Sequence, residues 1–135
     1  MPAGYSGTPL AKKLGIQAGF RVLALGAPAD YADLLAPLPE GVVLSGQLEP
    51  DAGFIHFFTK SRETLASELP RLKDALARDG ILWLSWPKKS SGVATDLDGN
   101  AVRALGLAAG LVDVKVCAVD AIWSGHKFVY RAADR

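Results

Sequence analysis

Two short stretches carry the side chains best suited to hold a charged ligand. Lys88-Lys89-Ser90-Ser91-Gly92 offers two ammonium groups, two hydroxyls and a glycine. Trp123-Ser124-Gly125-His126-Lys127 offers an indole, a hydroxyl, an imidazole and a further ammonium. Lysine ammonium groups and the backbone amides of Ser- and Gly-rich loops are suitable partners for phosphate or carboxylate. An indole can stack on a planar ring. The first stretch lacks the Gly–four residues–Gly-Lys-Ser/Thr spacing of a triphosphate loop, so it gives no specific support for ATP.

Proton-handling candidates are few. His126 titrates near neutrality and is expected at a hairpin. Asp120 falls at a strand end beside Trp123. No acid is placed by sequence to orient His126, and no Ser-His-Asp or Cys-His arrangement can be assembled. His56 lies inside Phe54-Ile55-His56-Phe57-Phe58 and reads as a hydrogen-bonded core histidine. Cys117, in mid-strand, reads as a buried, inert thiol. Asp30, Asp33, Asp96 and Asp98 sit where helices begin, and capping or dipole effects account for them. Two histidines so far apart lack metal-site spacing, so no metal is expected.

These residues are brought together only if the elements between them fold in a particular order. Thr8-Pro9 should open a short helix that Gly15 ends, with Lys12 and Lys13 in its last turn. Phe20–Leu25 is almost wholly apolar, which suits a strand buried on both faces. A short helix over 28–36 and a short strand over Val42–Leu44 follow, then a strand over Phe54–Phe58. Leu65, Leu69, Leu72 and Leu76 recur at helical spacing and predict a helix from Ser61 to Arg78. Pro70 should kink or restart it. Asp79-Gly80 turns the chain into a strand over Ile81–Trp86. Residues 87–95 form a loop. Thr95 or Asp96 caps a helix running to Ala109. Val112–Val119 and Lys127–Arg131 are the last strands, with Trp123-Ser124-Gly125 as a turn.

Alternating strands and helices predict an α/β fold of Rossmann-like type. The last two strands are joined by too few residues for a crossover, so they are antiparallel neighbours. The sheet is thus mostly parallel, with one antiparallel strand near its C-terminal edge and helices on both faces. In such a sheet, ligands bind beyond the carboxyl ends of the strands. Gly26, Lys88, Lys89, Ser90, Ser91, Trp123 and Ser124 then converge on one basic, hydroxyl-rich rim, with His126 and Asp120 beside them.

The whole chain has 135 residues, which suits one domain over 1–135, with 1–7 irregular. It carries 15 Lys+Arg against 14 Asp+Glu, so no whole-molecule field steers it to nucleic acid or membrane. No long basic stripe with interleaved aromatics points to nucleic acid either. No apolar run is long enough to span a bilayer, and the first residues lack the pattern of a signal peptide, so the expected compartment is cytoplasmic. One cysteine excludes an internal disulfide framework.

The order of elements over 53–131 resembles the second half of the S-adenosylmethionine-dependent methyltransferase fold. That resemblance implies a shortened methyltransferase-like architecture, because the link between the strands near 44 and 55 is too short for one strand–helix unit. It also implies S-adenosylmethionine as the cofactor to consider. The family's Gly-rich turn corresponds to Leu25-Gly26-Ala27-Pro28, with one glycine where two or three are usual. Its acid at the end of the second strand corresponds to Leu44-Ser45-Gly46-Gln47, with Glu49 slightly later. Gly4-Tyr5-Ser6-Gly7-Thr8-Pro9-Leu10, Trp86-Pro87-Lys88-Lys89-Ser90-Ser91-Gly92 and Trp123-Ser124-Gly125 resemble signatures of a bacterial family classed only as a domain of unknown function, a resemblance that implies no activity.

Two expectations follow. The first is a protein binding a small anionic or nucleotide-like ligand on the rim. The second is a non-catalytic interaction or regulatory module, with another protein or a second copy as partner. The residues fix no reaction.

Overall fold

The computed structural model describes residues 8–135. The irregular segment expected at 1–7, with the first half of the Gly4–Leu10 signature, lies outside them. The elements are α1 (Leu10–Leu14), β1 (Arg21–Leu25), α2 (Tyr31–Leu35), β2 (Val43–Ser45), β3 (Ala52–Phe58), α3 (Arg62–Ala75), β4 (Leu76–Pro87), α4 (Gly99–Ala108), β5 (Leu111–Ala118) and β6 (Trp123–Tyr130). Six strands form one sheet in the order β2-β1-β3-β4-β6-β5. The pairs β1–β2, β1–β3 and β3–β4 are parallel, and β6 is antiparallel to both β4 and β5. One reversed strand beside the edge is the topology the short last connection predicts.

Strand alternation divides the core in two. Leu23, Ile55, Phe57, Leu82, Leu84 and Phe128 pack with Leu65, Leu69 and Leu72 of α3 and Val102 of α4. Val22, Phe54, Phe58 and Trp83 pack with Leu14 of α1 and Tyr31 and Leu35 of α2. Trp83 and Trp86 fall in opposite clusters, as two side chains three positions apart on a strand must. The Trp83 indole also donates to the Leu14 carbonyl at 2.9 Å, tying the end of α1 to the sheet.

Helix α3 runs unbroken through Pro70, where a kink or restart was expected. Pro70 is exposed, whereas Leu65, Leu69 and Leu72 are buried on the other side of the helix. Packing of that face on both sides of the proline outweighs the lost hydrogen bond. Ser61 caps the helix by accepting from the Thr64 amide at 3.1 Å. The helix ends at Ala75, three residues short of the expected Arg78, because Leu76 already pairs with Ala52 in the sheet. From there to the pair Phe54–Ile81, the chain takes two steps along β3 and five along β4. Asp79-Gly80 is therefore part of a bulge at the start of β4, not a turn before it.

Three local expectations are corrected. Thr8 makes no cap: Pro9 holds that position and α1 has no side-chain cap. Asp98, not Thr95 or Asp96, caps α4, accepting from Ala101 N at 2.8 Å. Trp123-Ser124-Gly125 is not a turn but the start of β6, with Trp123 opposite Pro87 and Ser124 opposite Trp86.

The link from β2 to β3 contains only residues 46–51 and no helix. Leu48 in this link packs on the α3–α4 side of the sheet. It takes the place where a βα unit would carry a helix.

Candidate functional site

The carboxyl ends of β1, β3 and β4 form the rim, and three loops rise from β3, β4 and β5. Side chains cross-tie these loops. Lys88 N donates to Ile122 O at 2.8 Å, and Lys88 Nζ donates to Asp120 O at 2.7 Å. Asp120 Oδ1 accepts from Ile122 N and Trp123 N at 2.9 and 2.7 Å. Ser91 Oγ donates to Lys88 O at 2.6 Å and accepts from Val93 N at 3.1 Å. Thr95 Oγ1 donates to Lys60 O at 2.6 Å, and Asp96 Oδ1 accepts from Arg62 N at 2.7 Å. Residues 89–91 form one 3-10 turn, closed by Gly92 at φ 74°.

This network sorts the expected site residues. Lys88, Ser91 and Asp120 hold the loops. Lys89 and Ser90 are exposed, and no hydrogen bond or ion pair to their side chains occurs among the described residues. Lys60 and Arg62 stand exposed on the neighbouring loop. Ser124 is half-buried at the start of β6.

Trp123 and His126 depart from expectation. The Trp123 side chain is buried, with its ring edge-on to Phe58 at 5.1 Å between centroids. Phe58 meets Tyr31 edge-on at 5.5 Å and stacks on His56 at 4.1 Å. Trp123 is thus a core side chain, where a ring for stacking was expected. His126 is not at a hairpin: it pairs with Leu84 in mid-sheet and is buried. Its Nε2 lies 3.3 Å from Asp113 Oδ2, and Asp113 also accepts from Arg103 Nε at 3.0 Å. So an acid does orient His126, but from the neighbouring strand and far along the sequence. Burial holds its pKa below the usual value, with Asp113 pulling the other way. Arg103, with help from His126, keeps the Asp113 carboxylate below its usual range. Since Asp113 accepts from Nε2–H, Nδ1 is left as a buried acceptor without a partner among the described residues.

His56 is fully buried between two hydroxyls. Tyr31 Oη is 2.8 Å from Nδ1, and Ser85 Oγ is 2.7 Å from Nε2. Burial drives its pKa down to about 3, and the Tyr31 phenol well above its usual value. A neutral imidazole donating on one side and accepting on the other satisfies the chain. Sequence reasoning places His56 in the core, but its partners come from α2 and β4 and no local pattern marks them. Cys117 is half-buried in β5, and burial raises its thiol pKa, so it is not activated.

The residues at the methyltransferase cofactor position do not fit S-adenosylmethionine. Gly26 has φ 68°, and a Cβ there would lie 2.7 Å from the Phe58 carbonyl oxygen. Its lack of a side chain serves the chain's own backbone, not the approach of a ligand. Ser45, at the end of β2, has no carboxylate to hold ribose hydroxyls. Glu49 is drawn to the other end of the sheet, where both its oxygens accept from Arg21 at 2.6 Å. Arg21 begins β1.

No family model matches the chain, and no curated protein sequence matches it. Its backbone is similar to solved methyltransferases. One is a SAM-dependent methyltransferase from Aquifex aeolicus: TM-score 0.57, 17% identity, 88% of this chain and 86% of that one. Another is a TehB-like SAM-dependent methyltransferase from Corynebacterium glutamicum: TM-score 0.56, 15% identity, 96% of this chain and 91% of that one. A third is the Burkholderia thailandensis 1,6-didemethyltoxoflavin-N1-methyltransferase: TM-score 0.53, 16% identity, 88% of this chain and 73% of that one. At these identities the likeness shows the fold. That fold is Rossmann-like and methyltransferase-like.

Proposed function

We propose that this chain is a binding protein with a methyltransferase-like fold, holding an anionic group on its rim without S-adenosylmethionine. The cross-tied rim carries the reading. Lys88, Ser91, Thr95, Asp96 and Asp120 lock three loops from separate parts of the sequence. Loops fixed in this way lose little entropy when a ligand docks. They present Lys60, Arg62, Lys89 and Ser90 to solvent, a set suited to phosphate or carboxylate.

The test is a thermal-shift panel of S-adenosylmethionine, its demethylated product, mononucleotides and phosphorylated metabolites. A ligand at about 100 times its Kd adds roughly 2.7 kcal/mol, a shift of several degrees. An anionic compound should raise Tm, and Lys60→Ala with Lys89→Ala should abolish the rise at unchanged unliganded Tm. A rise with S-adenosylmethionine, undiminished in that variant, would sink the reading.

One observation favours a protein partner instead. Ile122, on the rim, is 40% exposed. Val114 and Val116, on edge strand β5, are 51% and 56% exposed. Apolar side chains on an edge strand suit strand addition or protein docking. A flat thermal-shift panel would favour this reading.

A further inference from the structure

Away from the rim, the start of β4 and the β5–β6 pair carry a second concentration of cations outside the ion pairs. In register, Lys115 of β5 sits directly opposite Lys127 of β6. Like charges so placed across an antiparallel pair repel. Lys127 is half-buried, and burial together with Lys115 lowers its pKa. Lys127 lines a groove of about 310 Å³ together with Arg78, Asp79, Val114, Val129 and Arg135. Three of these side chains are cationic and one is a carboxylate.

The guanidinium groups are positioned without being neutralised. Arg78 lies 4.7 Å from the centroid of the Tyr130 ring and donates through Nη1 to Asp134 O at 3.1 Å. Arg135 Nε donates to Tyr130 O at 2.9 Å. Their acceptors are backbone carbonyls and a ring, not carboxylates. The ion pairs among the described residues involve none of Arg78, Lys115, Lys127 and Arg135. Such a group of held, uncompensated cations matches a multiply charged anion. Val114 and Val129 give the same groove an apolar wall, and its volume is near the small end for ligand sites.

We propose that this groove binds a phosphate-bearing small molecule, its phosphate among Arg78, Lys127 and Arg135 and its apolar part on Val114 and Val129. The groove is lined by the start of β4 with β5 and β6, not by the rim loops, and the proposal stands whether or not the rim reading holds.

The test is calorimetric titration of the full chain with pyrophosphate at low ionic strength, with succinate as a second probe. Wild type should bind pyrophosphate and bind succinate more weakly. Lys115→Gln with Lys127→Gln should weaken pyrophosphate about tenfold or more, the effect of losing one charge-assisted contact. Lys60→Ala with Lys89→Ala, at the rim, should leave it unchanged. Lys115→Gln alone should raise the unliganded Tm, because it removes a repulsion. Four results would each overturn the assignment: no pyrophosphate binding; undiminished binding in the Lys115/Lys127 variant; loss in the rim variant alone; or succinate binding as tight as pyrophosphate. A lower unliganded Tm for Lys115→Gln would also count against it.

Discussion

Gly26 is the position where a single added methyl group tells most about the rim. At φ 68° any other residue is strained, and its Cβ would press on the Phe58 carbonyl oxygen. Gly26→Ala should cost about 2 kcal/mol or more by urea denaturation. A cost below half that would mean the turn is free to move and could admit a ligand. The buried imidazoles make a second prediction. Burial holds the folded-state pKa values of His56 and His126 below the unfolded value, His56 at about 3. Below about pH 6.5 the unfolded chain takes up protons there that the folded chain refuses, so stability falls. Each fully refused proton contributes about 1.4 kcal/mol per pH unit. For His56 the loss is complete only near pH 3. Measured from pH 7 to 5, above the range of the depressed carboxylates, Tm should drop steadily. His56→Gln keeps hydrogen-bonding atoms between Tyr31 and Ser85 and should flatten part of that slope. An equal slope in the variant would place the titration elsewhere.

At the scale of the elements, two positions set how helices sit on the sheet. Gly106 of α4 faces Phe128, where an added Cβ would fall 2.2 Å from the ring. Phe128 is fully buried and has nowhere to go. Gly106→Ala should therefore destabilise by about 1–3 kcal/mol, read as a lower Tm. Pro70→Ala should do the reverse. Pro70 is exposed, and alanine restores the hydrogen bond missing inside α3, so the gain should reach about 1–3 kcal/mol. A neutral result would show that the helix bends elsewhere to compensate. The same elements show what the sequence made legible. Strands β1 and β3 are apolar apart from Arg21 and His56, and such runs identify themselves. The reversal of β6 follows from loop length alone. The early start of β4 does not, because Asp79-Gly80 has turn chemistry and only the pairing of Leu76 with Ala52 makes it a bulge. Trp123-Ser124-Gly125 misleads for the same reason. Within the loops, Lys88 braces through a partner 32 residues away and Ser91 through neighbours two and three residues away, and no motif marks which side chain braces and which is presented.

Across the whole molecule, a net charge of +1 conceals its arrangement. Exposed Lys60, Arg62 and Lys89 stand on the rim loops, and Arg78, Lys127 and Arg135 line a groove away from them, while Glu49 and Glu68 are tied to arginines. Composition alone cannot show such clustering; register and topology are needed. The same topology leaves one strand weakly held. β2 meets β1 over three residue pairs, Arg21–Val43 to Leu23–Ser45, and among the described residues its other side pairs with no strand. The six-residue link that follows it carries one inward side chain, Leu48, where a helix would bury several. In hydrogen exchange this asymmetry becomes a sequence of events. The amides of 43–45 should exchange through a local opening of that margin, well before global unfolding, while those of β3 and β4 wait for the whole sheet to come apart. The short link after β2 should thus give the sheet a margin that opens on its own.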